Sequence, residues 1–454
     1  MGGKLKALFA QTDMTVGKPW KQIVIFTIPM LIGNIAQQLY NTVDSIVVGK
    51  YVGDNALAAV GSASPILNLL LVLFIGISMG TSIMVSQFFG AKDRESLSKT
   101  IGSTITLTAV SSLIIMVLGS VTIRPLLKML NTPASIIDWC TSYLLILIVG
   151  IMGVAYYNMF CGILRGLGDS LSALVYLLVA TVINIVLDLW FVIGLDRGVT
   201  GAAEATVIAQ YLSGIGIAAY TLVRFPQARS VWKVRFLRRE RVREIVSFST
   251  LTCVQQSVMN LGILMVQGLV NSFGSVVMAA FAAAVKIDAF AYMPVQDFGN
   301  AFSTYIAQNY GAKERGRIRA GLKSAVCISM AFCIVISALV FAFARPLMAL
   351  FVDAGEREVI LEGVGYLRIE GAFYCGIGCL FLLYGLYRAL GKPGMSVVLT
   401  VISLGTRVAL AYLLSAIPTV GVTGIWWSVP IGWGLADLVG FLYYIAKKKE
   451  LLEL

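Results

Sequence analysis

Two aspartates stand where the chain is otherwise hydrocarbon. Asp44 and Asp188 lie inside long apolar runs that contain no lysine or arginine. Asn184 precedes Asp188 by four residues, which puts both on one face of a helix. A carboxyl stripped of water and of a countercharge resists ionisation, and a second carboxylate nearby adds to that resistance. Such a pair can take a proton near neutral pH, or hold a sodium ion together with Asn and Thr oxygens. Either event lets an ion gradient drive a conformational change. The plainer alternative is a neutral acid, merely hydrogen-bonded between helices. Glu204 is a weaker candidate, because Gly201-Ala202-Ala203 place it near an interface that water reaches. Pro29 lies mid-helix ahead of Asp44, where it removes one backbone hydrogen bond and permits a kink.

The second half of the chain is expected to bury a different set of charges: Lys286, Asp288, Asp297, Arg368, Glu370, Arg407 and Asp437. Lys286 and Asp297 are three helical turns apart and are expected to face one side. These groups can pair among themselves or contact a substrate. Gln255, Gln256, Tyr292, Gln296 and Asn300 add polar surface suited to lining a cavity.

Several chemistries drop out. The sequence has no histidine, which removes histidine metal sites, triads and proton relays. The seven cysteines form no Cys-x-x-Cys pair, and Cys375 with Cys379 reads as small-residue packing. No Gly-x-x-x-x-Gly-Lys loop is present, so energy must come from an ion gradient rather than ATP, and no cofactor is expected.

The elements that must position these residues are helices crossing a membrane. Of the 454 residues, 58% are hydrophobic and 13% charged, whereas soluble proteins carry about 25% charged residues. Twelve apolar runs follow one another, from about 22–48 to about 422–446, each long enough to span a bilayer. The alternating short strands of a barrel are absent. The net charge of +12 is topological rather than nucleic-acid binding. With the amino terminus inside, Lys4, Lys6, Lys18, Lys21, Lys92, Arg94, Arg165, the stretch from Arg224 to Arg243, Lys313, Arg315 and Lys447 to Lys449 all collect on the inner side. The outer side keeps only Lys50, Arg124, Lys128, Arg197, Arg345 and Arg357. Both termini are therefore expected in the cytoplasm.

The chain also repeats itself. Gln87-Phe88-Phe89-Gly90-Ala91-Lys92-Asp93-Arg94 recurs as Gln308-Asn309-Tyr310-Gly311-Ala312-Lys313-Glu314-Arg315. Arg124-Pro125-Leu126 recurs at Arg345, Tyr143 at Tyr366, Arg165-Gly166-Leu167-Gly168 at Arg388, and Gly198-Val199-Thr200-Gly201 at Gly421. This predicts two homologous six-helix lobes, at 1–223 and 244–454, joined by a basic linker at 224–243. Six spans per half means that both halves enter the membrane from the same side, so the repeat axis follows the membrane normal. A central cavity between the lobes is the expected substrate site. The repeat does not copy the acids: Met265, Arg407 and Ala411 stand where Asp44, Asn184 and Asp188 stand in the first half.

The stretches around Pro29, Val43-Asp44-Ser45, Ala58-Ala59-Val60-Gly61, Gln87-Phe88-Phe89-Gly90, Arg165-Gly166-Leu167-Gly168-Asp169, Asn184-Ile185-Val186-Leu187-Asp188 and Gly198-Val199-Thr200-Gly201-Ala202-Ala203 resemble the MATE multidrug exporters, prokaryotic members in particular. The resemblance covers essentially the whole chain. It implies two six-helix lobes in a V shape, and export of cationic or amphipathic compounds in exchange for protons or sodium ions. The match is closer to the DinF-like branch, whose coupling site uses a proline and aspartate of helix 1 with an Asn and Asp of helix 5. By that resemblance Pro29, Asp44, Asn184 and Asp188 form the ion-coupling site, Thr206 of helix 6 joins it, and Gln37 and Asn158 line the same lobe. The NorM-like branch uses acids in helices 7 and 10; here helix 7 offers Gln255 and Gln256 instead, while Glu370 lies in span 10.

The sequence thus reads as a monomeric antiporter of a bacterial or archaeal plasma membrane, in contact with membrane lipids. The runner-up is a flippase for lipid-linked saccharides, a design that lines its cavity with arginines such as Arg368 and Arg407. A channel would need a filter-like loop, which is missing.

Overall fold

A computed structural model describes residues 12–130, 132–229, 239–353 and 355–452. Lys4, Lys6 and residues 230–238 of the basic linker lie outside the described residues. Among the described residues all regular structure is helical. The first half contains α1 (Pro19–Tyr51), α2 (Asp54–Gly90), α3 (Arg94–Met129), α4 (Ile137–Val149), α5 (Ile151–Gly166), α6 (Ser170–Asp188) and α7 (Gly198–Arg224), followed by the single turn α8 (Pro226–Arg229). The second half contains α9 (Arg239–Asn271), α10 (Ser275–Gly311), α11 (Arg315–Ala349), α12 (Arg357–Gly371), α13 (Tyr374–Ala389), α14 (Pro393–Ser415) and α15 (Val422–Leu452).

Ten described helices are individually long and apolar enough to cross a membrane, and two bent pairs bring the spans to twelve. The fourth and tenth spans were expected as single helices and are instead broken. α4 meets α5 at 50°, and α12 meets α13 at 51°. The first break falls at Gly150, where an added Cβ would lie 2.3 Å from Val207 Cγ2 of α7. Only glycine lets α7 press that close.

The backbone itself repeats. Left-handed φ angles occur at Gly53 and Gly274, Lys92 and Lys313, Gly168 and Gly391, and Gly198 and Gly421. The sequence motifs are therefore copies of turns as well as of letters. At the α2 to α3 turn the Gly-Ala-Lys loop stops the helix, and the lysine, φ 56°, takes the left-handed position. Asp93 then caps α3 by accepting from the Ser96 amide at 3.0 Å. That bond holds the Asp93 carboxyl below the usual carboxylate range. Glu314, its longer counterpart in the repeat, makes no side-chain cap.

Two compact units result. One is built on Ile28–Cys253; the other combines Met14–Thr27 with Val254–Leu454. α1 and α9 therefore each begin in one unit and continue in the other. Within the second unit, the Met14 carbonyl accepts from Asn309 Nδ2 at 3.0 Å and from Arg317 at 2.9 Å, and the Gly17 carbonyl accepts from Arg317 at 3.0 Å. Within the first, Arg241 donates to Ser96 Oγ at 3.1 Å and lies over the Phe88 ring at 4.6 Å.

Lipid tails are as apolar as leucine, so helices in a membrane associate through close packing and hydrogen bonds rather than the hydrophobic effect. α5 against α2 shows how. Gly162 would place a Cβ 2.5 Å from the Ser78 carbonyl, and Ser78 Oγ donates to the Asn158 carbonyl at 2.7 Å. The equivalent glycine, Gly385, meets the Gly299 carbonyl in the same way in α13 against α10. Two large apolar clusters lie in the first unit, beside a smaller one around Phe74, Ile77, Ile151 and Ala155. One is centred on Val47, Ala59, Leu127, Leu144 and Val199, and the other on Leu97, Ile101, Phe160, Leu164 and Ile217.

Candidate functional site

Asp44 on α1 and Asp188 at the end of α6 are both buried, Asp188 completely. Asn184, one turn earlier, is equally enclosed. With its amide turned so that Nδ2 faces the acid, Asn184 donates to Asp188 Oδ2 at 2.8 Å. Its Oδ1 then accepts from the Thr206 amide at 3.2 Å and from the Thr206 hydroxyl at 3.3 Å. Tyr40 closes the series by donating its hydroxyl to Thr206 Oγ1 at 3.2 Å. The bonds run in one direction from Tyr40 through Thr206 and Asn184 to Asp188, and bonds in such a chain polarise one another. Tyr40 sits one turn before Asp44 on α1, so the chain ties α1, α6 and α7 together around the two acids.

The acids keep spare capacity. Oδ1 of Asp44 and Oδ1 of Asp188 are both buried without a hydrogen-bond partner. Among the described residues neither carboxyl is in an ion pair. The Asp44 charge is felt at Asp188, and both charges are felt at Tyr143 and Tyr40. A buried oxygen with no donor is a place for a proton or a small cation. Beyond Asp188 the α-helix widens into a π-turn, Leu189–Gly194, with the Leu195 amide reaching back to the Trp190 carbonyl at 2.9 Å. Turns of this kind are frequent at functional sites.

The second unit also buries acids, and Glu370 Oε2 and Asp437 Oδ1 are likewise buried without a hydrogen-bond partner, but here a tyrosine and an arginine stand beside two of them. Tyr374 donates to Asp288 Oδ1 at 2.5 Å. Glu370 and Tyr366 lie close enough to Asp288 to act on it electrostatically, and Arg407 stands within electrostatic reach of both acids.

The remaining candidates scatter. Gln37 and Gln256 are half-buried and Gln255 is buried. Asn158 spends its amide on the Val154 carbonyl of its own helix at 2.9 Å. Tyr292 stacks on Phe381 with centroids 6.4 Å apart, Gln296 is half-buried and Asp297 is buried. Two expectations are corrected. Lys286 is exposed, because it sits two residues from buried Asp288 on the opposite side of α10, and Pro294 separates it from Asp297. Arg368 is exposed as well, lying over the Phe341 ring at 5.4 Å instead of inside the protein. Glu204 pairs with Arg197 at 2.7 Å, in keeping with its place near water. Among the described residues no group of three His, Cys, Asp or Glu side chains could hold a metal ion.

The MatE family pattern matches residues 29–190 and again residues 252–413. The chain belongs to the MatE family. The two MatE segments start 223 residues apart, at 29 and 252, close to the offset of the repeated turns. The probable multidrug resistance protein YoeA of Bacillus subtilis is 27% identical over 445 residues, 96% of each chain. YpnP, a probable multidrug resistance protein of the same organism, is 28% identical over 442 residues, 95% of this chain and 96% of that one. A crystal structure of MATE in the bent conformation superposes with a TM-score of 0.90 at 25% identity, covering 96% of this chain and 97% of that one. This MatE protein is a multi-pass membrane transporter and not an enzyme.

Three features of the MatE site were missed in the sequence. Tyr40 left a signal, its place four residues before Asp44. Tyr143 left another, since it and Tyr366 are retained in both repeats and each stands beside its own half's acids. The π-turn left none.

Proposed function

We propose that this transporter exports cationic or amphipathic organic compounds in exchange for protons, with Asp44 and Asp188 as the coupling pair and sodium as the alternative ion. The observation that carries this reading is the pair of buried, unpartnered Oδ1 atoms in a unit that offers them no countercharge. In so dry a place two ionised carboxylates are costly, and either protons or a cationic cargo relieves the cost. Proton and cargo then compete for the same negative charge, which is the logic of antiport. Asn184 and Thr206 hold Asp188 in position, and Tyr40 extends that support to α1. Sodium would draw on Asp44, Asn184, Asp188 and Thr206 oxygens. The names of the YoeA and YpnP relatives support a multidrug cargo, and basic residues gathered at one end support a cytoplasmic placement of both termini in a plasma membrane. Membrane lipids are the only other partners this reading needs, and the transporter acts as a monomer.

Purified protein in liposomes, with pH and sodium gradients imposed separately, tests the choice. Dye movement is expected to follow the pH difference without sodium. Movement that requires a sodium gradient and ignores pH overturns the proton reading.

A further inference from the structure

A groove of about 680 Å³ opens between α6 and α7, near the carboxyl end of α7. Tyr176, Gly216, Ala219, Tyr220, Val223 and Arg224 line it. Its shape is built in. Gly216 lets Tyr176 lie against the α7 backbone, where an added Cβ would sit 2.9 Å from Tyr176 Cε1. The Tyr176 and Tyr220 rings face each other at 5.9 Å between centroids. Tyr220 is fixed from behind: its hydroxyl donates to Asp169 Oδ2 at 3.0 Å and accepts from Ser172 Oγ at 2.8 Å. Asp169 also accepts from the Ser172 amide at 2.9 Å, so the one acid near the groove is already hydrogen-bonded.

Arg224 is the cation at the mouth. It is exposed, and among the described residues it has no carboxylate partner. It lies at the basic end of the unit, with Arg165 and Lys92 in the neighbouring turns of the sequence pattern. Away from that end, α7 exposes Ile215, Leu212 and Ile208, and α6 exposes Val179 and Val182. A guanidinium without a carboxylate partner among the described residues therefore sits at the end of an exposed apolar surface on α6 and α7.

We propose that this groove binds an anionic phospholipid. Its phosphate pairs with Arg224, and its acyl chain lies along Ala219, Ile215 and Leu212. The charge argues for a phosphate, because guanidinium and phosphate match in geometry as well as sign. The exposed apolar surface beside the groove argues for a lipid over a free anion, because a soluble phosphate gains nothing from apolar neighbours. Basic pockets between helices at a membrane interface are suited to such headgroups. The two helices that form the groove also carry Asn184, Asp188 and Thr206. A lipid wedged between them bears on the spacing of the coupling residues, a consequence that alone rests on the proposed function.

Binding is read directly, apart from transport. Full-length protein is released from mixed phosphatidylglycerol and phosphatidylcholine micelles in native mass spectrometry, and a phosphatidylglycerol with a photoreactive acyl chain maps the contact. The wild type is expected to retain phosphatidylglycerol and to cross-link within residues 208–224. Arg224→Gln removes the charge at an exposed site and is expected to lower the preference about ten-fold. Ala219→Trp fills the groove from an exposed position and is expected to abolish the cross-link, while Lys323→Gln, a basic change elsewhere, leaves both readouts unchanged. Equal retention of the zwitterionic lipid, or a preference that survives Arg224→Gln, overturns the proposal. So does a cross-link outside the groove, or a mass of two chains joined through it.

Discussion

Changing Asp188 to Asn alters one atom's chemistry and almost nothing of its shape. The new side-chain carbonyl can still accept from Asn184 Nδ2, now at 2.8 Å. The new amide group takes the place of Oδ1, which has no partner, and leaves a buried donor unsatisfied. That costs about 1–3 kcal/mol, offset by relief of a desolvated carboxyl, so thermal unfolding in detergent is expected to stay near wild type. The transport consequence is larger. One proton exchanged per cycle across one pH unit supplies about 1.4 kcal/mol, which sustains a ten-fold gradient of a monovalent cationic cargo in electroneutral exchange. Two protons would sustain about a hundred-fold gradient of an uncharged cargo under the same clamp of zero membrane potential. The assay is the steady cargo ratio in liposomes, plotted against the imposed pH difference with potassium and valinomycin holding the potential at zero. Wild type is expected to slope upward and Asp188→Asn to be flat while still passing cargo down its own gradient. A wild-type slope in Asp188→Asn refutes the assignment of Asp188 as a proton carrier.

Other outcomes follow from the same geometry. Asp44→Asn combined with Asp188→Asn is expected to be no worse than either alone, since groups acting as a unit are non-additive; multiplicative losses in efflux rate would separate the two acids. Thr206→Val breaks the link between Tyr40 and Asn184 and is expected to slow efflux about ten-fold, as loss of about 1.4 kcal/mol would, while the dependence on pH difference is kept; an unchanged rate would make the link ornamental. Gly162→Val drives a Cβ toward the Ser78 carbonyl and is expected to cost about 1–3 kcal/mol, measured as a lower thermal midpoint. Asp93→Ala removes the α3 cap at about 0.5–2 kcal/mol. Because the native Asp93 carboxyl is held low, its contribution is full above about pH 4 and fades on acidification, so wild type and Asp93→Ala should converge in stability as the pH falls.

Much of the molecule was legible because a membrane makes exceptions conspicuous. Asp44, Asn184 and Asp188 stood out as polar groups in hydrocarbon, and the four-residue spacing placed Asn184 against Asp188 as found. The apolar runs marked the twelve spans, and the repeat marked the matched turns. The broken fourth and tenth spans were hidden, because hydropathy runs smoothly through Gly150 and Ala372 while the backbone turns by about 50°. Lys286 and Arg368 were misplaced for a related reason. An apolar run says that a segment is in the membrane but not which side of it meets protein, and long basic side chains reach outward along such surfaces. Tyr40 and Tyr143 could not be assigned from spacing alone, because their role depends on which neighbouring helix each one meets.

The exchange of opening segments makes the two halves interdependent. Met14–Thr27 completes the unit formed by Val254–Leu454, and the matching stretch of the second repeat, Arg239–Cys253, completes the unit formed by the first. Neither repeat by itself encodes a finished body. Cut at the basic connection, each product would carry a piece of the other and lack a piece of its own. That is the logic of a domain-swapped dimer written into one polypeptide. A single repeat of this layout would complete itself only by trading segments with a second copy.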